Sequence, residues 1–230
     1  MRFDVFLAIL AAVAFMIWVF RRDRRRFESD RTMLLNDAQD LLEDGELTRE
    51  AMAYPKLRGR YRGYQAVIDA VVDNLSVRKV PSLWLRVTIL AEVPFSGSCD
   101  ILARAHNVEF YSPSIGFDHS LRLPGGWPDH LTIKSDDPDH MPPDKLLAPH
   151  VKVFADPRMK ELLVTPRGVR LVRQGAQAER AEYMVLRQSL FGPVTIPRDL
   201  LVELLDRAIA LAKDVTAPTA TAMKEIEATR

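Results

Sequence analysis

Acidic residues and histidines recur together between residues 111 and 150. Three Asp-His pairs occur there: Asp118-His119, Asp129-His130 and Asp139-His140. Carboxylates and imidazoles are the ligand set of zinc, manganese and iron sites in proteins. The residue types therefore suggest a metal site, with a metal-dependent hydrolase as one possible function. The candidate ligands are His119, His130, His140 and Asp136.

The same stretch also has the composition of an irregular loop. It contains seven of the fifteen prolines of the chain, together with the Gly125-Gly126 pair. Aspartate and proline are common in loops, and neighbouring residues of a strand point to opposite faces, so one Asp-His pair seldom chelates by itself. The histidine spacing matches no metal-binding motif. A loop without metal is therefore the interpretation that the sequence favours, the metal site is the alternative, and no cofactor is predicted.

Other reactive side chains lack the neighbours that catalysis requires. Cys99 is the single cysteine, so an intrachain disulfide is excluded, and no recognisable catalytic sequence surrounds it. Ser96-Gly97-Ser98 does not match a nucleophile elbow, which needs a glycine on each side of the serine. The sequence therefore favours a protein that is not an enzyme.

A basic stripe is predicted on the segment from residue 56 to residue 63. Alternation along a strand places four side chains on one face: Lys56, Arg58, Arg60 and Arg62. No acidic residue lies between them, so the stripe could bind an anionic lipid or another anionic ligand. A solvated strand face, or charge that protects a sheet edge, is the interpretation that the sequence favours over such binding.

An unbroken apolar run from Val5 to Phe20 lies near the start of the chain. Its sixteen residues span about 24 Å as a helix, and flanking residues that reach the interfaces bring this closer to the ~30 Å of a bilayer core. Basic residues directly after such a run typically stop translocation, so we predict a transmembrane helix. A cleaved signal peptide is the alternative. The basic flank consists of Arg21, Arg22, Arg24, Arg25 and Arg26.

The charges around this run also predict its orientation. Six arginines lie between Arg21 and Arg31, whereas only Arg2 and the terminal amine precede the run. The positive-inside rule then places the N-terminus outside and the rest of the chain in the cytoplasm. The predicted location is the bacterial inner membrane, crossed once, with the lipid bilayer as the first partner.

The remainder of the chain predicts one globular domain. Hydrophobic residues make up 47% and charged residues 27% of the sequence, as in ordinary globular proteins. The net charge of +1 gives no indication of a nucleic-acid partner. We predict an anchor (1–26), a helical connector (27–54), a cytoplasmic domain (55–215) and a flexible tail (216–230).

Hydrophobic periodicity predicts a mainly antiparallel sheet with a packed C-terminal helix, so the fold class is α+β. Strands are expected at 56–63, 64–73, 83–93, 101–110, 131–134, 161–165 and 169–173. The connector is predicted as a helix from about residue 29 to 44, whose leucines either pack on the domain or contact a membrane or second subunit. Residues 182–191 are predicted as a strand, with a helix from about 176 as the alternative. Leucines and alanines from Leu201 to Ala212 repeat at helical spacing.

Three stretches carry a resemblance to a known family. They are Arg78-Lys79-Val80-Pro81-Ser82-Leu83-Trp84-Leu85, Lys160-Glu161-Leu162-Leu163 and Gly168-Val169-Arg170-Leu171-Val172. The chain from about residue 55 to 212 resembles a family of membrane-anchored bacterial proteins, typical of alphaproteobacteria, for which no activity is known. The resemblance implies a bacterial inner-membrane protein and brings no catalytic residue or cofactor.

These observations favour a binding module over an enzyme. The predicted function is a membrane-anchored accessory or assembly subunit that contacts a membrane protein complex or a second copy of itself. There are two alternatives. One is an anionic-lipid binder that uses the basic stripe, and the other is a metal-dependent hydrolase that uses the Asp/His loop, residues 118–150.

Overall fold

A computed structural model describes residues 3–50, 53–73, 80–105, 109–186, 189 and 191–217. In these ranges the strands are β1 (Glu43–Thr48), β2 (Lys56–Tyr61), β3 (Tyr64–Val72), β4 (Ser82–Leu90), β5 (Cys99–Ala103), β6 (His119–Leu121), β7 (Leu131–Ser135), β8 (Met159–Thr165) and β9 (Gly168–Gln177). The helices are α1 (Phe3–Thr32), α2 (Asp144–Val151), α3 (Arg180–Leu186) and α4 (Arg198–Thr216). Most of the predicted tail, from residue 218 onward, lies outside the described residues.

The nine strands form one sheet in the order β1-β2-β3-β4-β9-β8-β5-β7-β6. Every neighbouring pair is antiparallel, which confirms the predicted sheet type. The hairpin between β8 and β9 also lies where the sequence predicts it. Between β2 and β3 the chain turns at Arg62 and Gly63, whose φ angles of 49° and 83° suit a two-residue hairpin turn.

The core lies on the face of the sheet that α4 covers, which we call the α4 face. In β4, Leu85, Val87 and Ile89 are fully buried there, because alternate residues of a strand share a face. The apolar stripe of α4 includes Leu201 and Leu205, and the helix packs on β4 and β9. The predicted C-terminal helix is therefore confirmed.

The properties of helix α1 contradict the predicted membrane anchor. Among the described residues, no helix is both long enough and apolar enough to cross a membrane. The apolar run is only sixteen residues long, short of the roughly 20 that a span requires, and α1 continues through the arginines to Thr32. The predicted transmembrane helix, and the single-pass inner-membrane localisation that depended on it, are therefore wrong.

Some of the predicted anchor residues can be placed on α1. Large apolar side chains of the run, such as Phe15, Ile17 and Phe20, are more than half exposed. Arg21 and Arg22 are also exposed, and the Arg22 guanidinium lies 5.4 Å from the ring centre of Trp18. The side chains of Arg24, Arg25 and Arg26 lie outside the described residues.

The predicted connector helix is only partly present. The chain leaves α1 after Thr32, makes a short 3-10 turn at Asn36–Ala38 and enters β1 at Glu43, so only the first part of the helix predicted from about 29 to 44 is α-helical. The apolar residues behind the prediction are buried in the core: Leu34, Leu35, Ala38, Leu41 and Leu42. Packing on the domain, one of the two predicted roles of these leucines, is thus what the structure shows.

The segment after β9 also differs from the main prediction. Residues 182–191 were expected to form a strand, but Arg180–Leu186 is helix α3. The apolar content of this segment suits either structure, so the sequence pattern by itself does not decide between them.

Candidate binding cleft

An open cleft of about 690 Å³ lies beside β6 and β7. Its floor includes Ile133 of β7 and Phe95, both of which are nearly fully buried. Leu121 of β6 and Met141 form partly exposed apolar walls. The other lining residues are Pro94, Ser96, Arg122, Pro138, Asp139, His140, Pro142, Pro143 and Asp144. The cleft is therefore mainly apolar, and prolines stiffen one side of it.

Backbone and side-chain hydrogen bonds hold this side of the cleft in place. The Ser135 hydroxyl donates to the Ser98 carbonyl oxygen at 2.8 Å, and the Ser98 N–H donates to Asp136 Oδ1 at 2.6 Å. The Gly97 N–H donates to the His140 carbonyl oxygen at 3.0 Å. These bonds join the turn at residues 96–98 to the end of β7.

Gly97 is required for this close approach. A Cβ atom at this position would lie 2.3 Å from the Asp137 carbonyl oxygen, well inside normal contact. The two segments can therefore touch only where one of them lacks a side chain. The turn-like Ser96-Gly97-Ser98 thus has a structural reason for its central glycine.

Two of the predicted metal ligands have structural partners, and one of the two, His140, lines the cleft. Asp136 accepts the bond from Ser98, and His140 Nδ1 lies 2.8 Å from Asp137 Oδ2. Partial burial raises the pKa of Asp144, which lies at the start of α2 on the rim of the cleft. Residues of the stretch from 111 to 150 thus supply part of the cleft lining.

The predicted histidine ligands are not brought together. His130 directly precedes β7, whereas His119 of β6 pairs with Ser135 at the other end of β7 and His140 follows that end, so the strand separates His130 from the other two. In the part of the chain that the structure describes, no three His, Cys, Asp or Glu side chains are grouped so that they could hold a metal. The metal hypothesis gains no geometric support.

Cys99 lies on the α4 face and is fully buried. Burial, followed by the negative charges of Asp100, Asp144 and Asp136, raises the pKa of its thiol well above the usual range. A thiol in this environment is a small core side chain and is poorly suited to nucleophilic chemistry.

The basic stripe on β2 faces acidic residues of β1. Arg60 pairs with the carboxylate of Asp44 at 2.5 Å, and Arg58 lies opposite Glu46 in the strand register. The predicted alternation is present, since Leu57 is buried and Arg58 and Arg60 are exposed. The sequence did not reveal the acidic strand beside it.

Arg62 does not belong to the stripe. It occupies the hairpin turn, where its guanidinium lies 3.0 Å from Asp206 of α4 and 5.2 Å from the centre of the Tyr61 ring. Lys56 lies opposite Thr48 and keeps the predicted orientation. With much of its charge balanced locally, the basic stripe is a weak candidate for binding anions.

A second polar cluster, which the sequence did not indicate, lies on the opposite face of the sheet. A strap formed by residues 109–116 covers this face. The Ser112 hydroxyl donates to Asp100 Oδ2, and Lys134 Nζ lies 3.4 Å from the Ser114 carbonyl oxygen. The ring of Tyr111 packs on Trp84 at 5.7 Å between ring centres. The strap is thus fixed mainly by polar contacts.

Under the strap, Asp100 and Glu161 are both fully buried. Burial raises the pKa of each carboxyl, and their proximity raises the pKa of Asp100 further. Arg170 partly counteracts the rise in the pKa of Glu161, because it donates to both carboxylate oxygens, at 2.8 and 3.2 Å. Both groups are closed off from solvent, so we interpret the cluster as structural.

The fold is an antiparallel-sheet domain with a packed C-terminal helix and an open, mainly apolar cleft. No protein-family model and no curated protein matches the chain. Among solved structures, the chain is similar to the crystal structure of the mycobacterial trehalose monomycolate transport factor A, TtfA. The similarity has 13% sequence identity and a TM-score of 0.37, and covers 83% of this chain and 93% of that chain. The family resemblance seen in the sequence stays a prediction.

Proposed function

We propose that this protein is a binding module, and that its cleft holds a segment of a protein partner. The observation that carries the proposal is an open apolar cleft of about 690 Å³ with partly exposed Leu121 and Met141 in its walls. Exposed apolar surface rimmed by polar residues commonly marks an interaction site.

The polar groups around the cleft support binding more than catalysis. Asp136 and His140 are engaged by Ser98 and Asp137, as described above, and Cys99 is closed to solvent. A general base or nucleophile must reach the atom on which it acts. The rim groups instead provide charge and hydrogen bonding at the edge of an apolar surface.

Affinity capture with matched variants tests the proposal. Tagged wild-type protein, Met141→Glu and Ile115→Glu are used as baits in extracts of the source cells, and captured proteins are quantified by mass spectrometry. Ile115 is a suitable control because it is 61% exposed on the strap, away from the cleft. The proposal predicts a stoichiometric partner that Met141→Glu loses and Ile115→Glu retains.

The captured partner is then purified and titrated against the same three proteins. A charge placed against an apolar partner side chain should weaken binding by about tenfold or more, or ~1.4 kcal/mol. Equal affinity of wild type and Met141→Glu would rule out the cleft as the binding surface. Size measurement of the protein by itself shows whether the partner is a second copy of the chain.

A further inference from the structure

Strand β6 is an open edge of the sheet. It ends the strand order and pairs with β7 through His119, Ser120 and Leu121. In the described residues no strand pairs with its outer side. Alternate N–H and C=O groups of an antiparallel strand point to each side, so part of the β6 backbone faces outward.

This edge adjoins the cleft. Leu121 of β6 and the following Arg122 line it, and the strand partner of Leu121 is Ile133 on the cleft floor. Paired residues lie on the same face of a sheet. A chain laid along β6 would therefore turn alternate side chains into the cleft.

The opposite wall offers fewer backbone donors. Pro138, Pro142 and Pro143 line it, and proline has no backbone N–H to donate. The open edge of β6 is therefore the better-placed source of backbone hydrogen bonds to a bound segment, while the proline side contributes apolar contact.

The two edges of the sheet differ in how they are protected. The other edge strand, β1, carries Glu43, Asp44 and Glu46 within six residues, and such charges discourage added strands. β6 has no lysine, proline or carboxylate in its three residues. Its shortness limits pairing to a brief segment, which suits a peptide better than a long strand.

The charge at the rim indicates which peptide fits. Asp139 and Asp144 are exposed carboxylates, and Arg122 is the basic residue on the β6 side. We infer that the cleft binds an extended peptide segment that pairs with β6, places an apolar side chain over Ile133 and carries a lysine or arginine next to it. The inference rests on the proposed function and specifies its partner.

Selection from a displayed library of random short peptides tests this inference. The full chain and its Met141→Glu variant serve as parallel targets. Peptides that depend on the cleft should alternate apolar residues with polar ones and include a basic residue. Their acidic counterparts, with glutamate in place of lysine or arginine, should bind more weakly.

Backbone methylation of the selected peptides then identifies strand pairing. N-methyl groups at every second position that faces β6 should reduce affinity about 3- to 10-fold each, because each removes one backbone hydrogen bond. N-methyl groups at the intervening positions serve as controls and should have little effect. Hydrogen exchange at residues 118–122 should slow in the complex.

Other outcomes overturn the inference in distinguishable ways. Peptides that require Met141 but tolerate N-methylation at all positions contradict strand pairing and leave the proposed function intact. A library with no enrichment over the Met141→Glu target also overturns the inference, and affinity capture then decides the proposed function separately.

Discussion

Lys160 Nζ lies 2.9 Å from Glu109 Oε1, and only 5% and 7% of these side chains are exposed. The same ammonium donates to the carbonyl oxygens of Ala103 and Arg104, each at 2.9 Å. This pair joins the start of the strap to β8 and to the end of β5. Among the described residues, it is the most deeply buried ion pair between the strap and the sheet.

Glu109→Ala should destabilise the fold strongly. It leaves the buried Lys160 ammonium without its carboxylate, a loss that typically costs about 3–5 kcal/mol. Denaturant unfolding measures the effect. Glu203→Ala is the control, because Glu203 and Arg207 form an exposed ion pair on α4 that is worth less than about 1 kcal/mol. Equal losses in the two variants would contradict the account of the strap.

Asp100→Asn should change how stability depends on pH. The folded state raises the pKa of Asp100 above its ordinary 3.8, so the folded chain retains a proton that the unfolded chain releases. Stability therefore falls as pH rises from about 4 through the folded pKa. Asparagine removes this contribution, so the variant should gain stability relative to wild type over that window.

Denaturant unfolding of both proteins at a series of pH values tests this prediction. Glu161 has a raised pKa of the same sign, so some pH dependence should remain in the variant. A stability difference between wild type and Asp100→Asn that does not change with pH would show that folding does not raise the pKa of Asp100.

Gly97→Ala should damage the cleft wall. The added Cβ would lie 2.3 Å from the Asp137 carbonyl oxygen, so the segment around His140 must move. Such overpacking usually costs about 1–3 kcal/mol, and binding in the cleft should weaken as well. Gly125→Ala is the control because a Cβ there has no neighbour within 4 Å. Equal melting temperatures of the two variants in thermal unfolding would contradict the close approach of Gly97 to the Asp137 carbonyl oxygen.

Cys99 should resist modification in the folded protein. The side chain is fully buried and its thiol pKa is raised, so both access and thiolate formation are suppressed. Reaction with a thiol reagent should be slow in native buffer and fast in denaturant. Rapid stoichiometric labelling without denaturant would show that the region opens readily or that Cys99 is exposed.

Local pattern was sufficient to predict much of the sheet. Alternation in β4 and the proline-glycine turn between β8 and β9 are short-range signals, and both elements form as expected. The helical spacing from Leu201 to Ala212 likewise corresponds to α4. These elements agree with their local preferences and with the final packing.

The beginning of the chain shows where local pattern fails. The spacing of Leu34, Leu35, Ala38 and Leu41 fits a helix, yet these side chains are buried around a turn before β1. The chain is committed to sheet pairing from Glu43 onward, where β1 pairs with β2, and such pairing depends on residues far apart in sequence. The apolar run in α1 suggested an anchor, but its length was below that of a membrane span.

The site was only partly predictable for the same reason. Composition marked residues 111–150 as unusual, and the cleft does use Asp139, His140 and Asp144. Composition could not show that β7 separates His130 from His119 and His140. It also could not show that Ser112 of the strap donates to Asp100 of β5, because a hydrogen bond between two side chains leaves no periodic signal in the sequence.

Site-specific photocrosslinking tests the central claim most directly. A photoreactive phenylalanine derivative replaces Met141 in the cleft, or Ile115 on the strap as a control, and both proteins are illuminated in source cells. The account predicts a crosslinked protein partner from position 141 that is absent from position 115. A folded protein that gives no crosslink at position 141, or the same products from both positions, would contradict a binding role for the cleft.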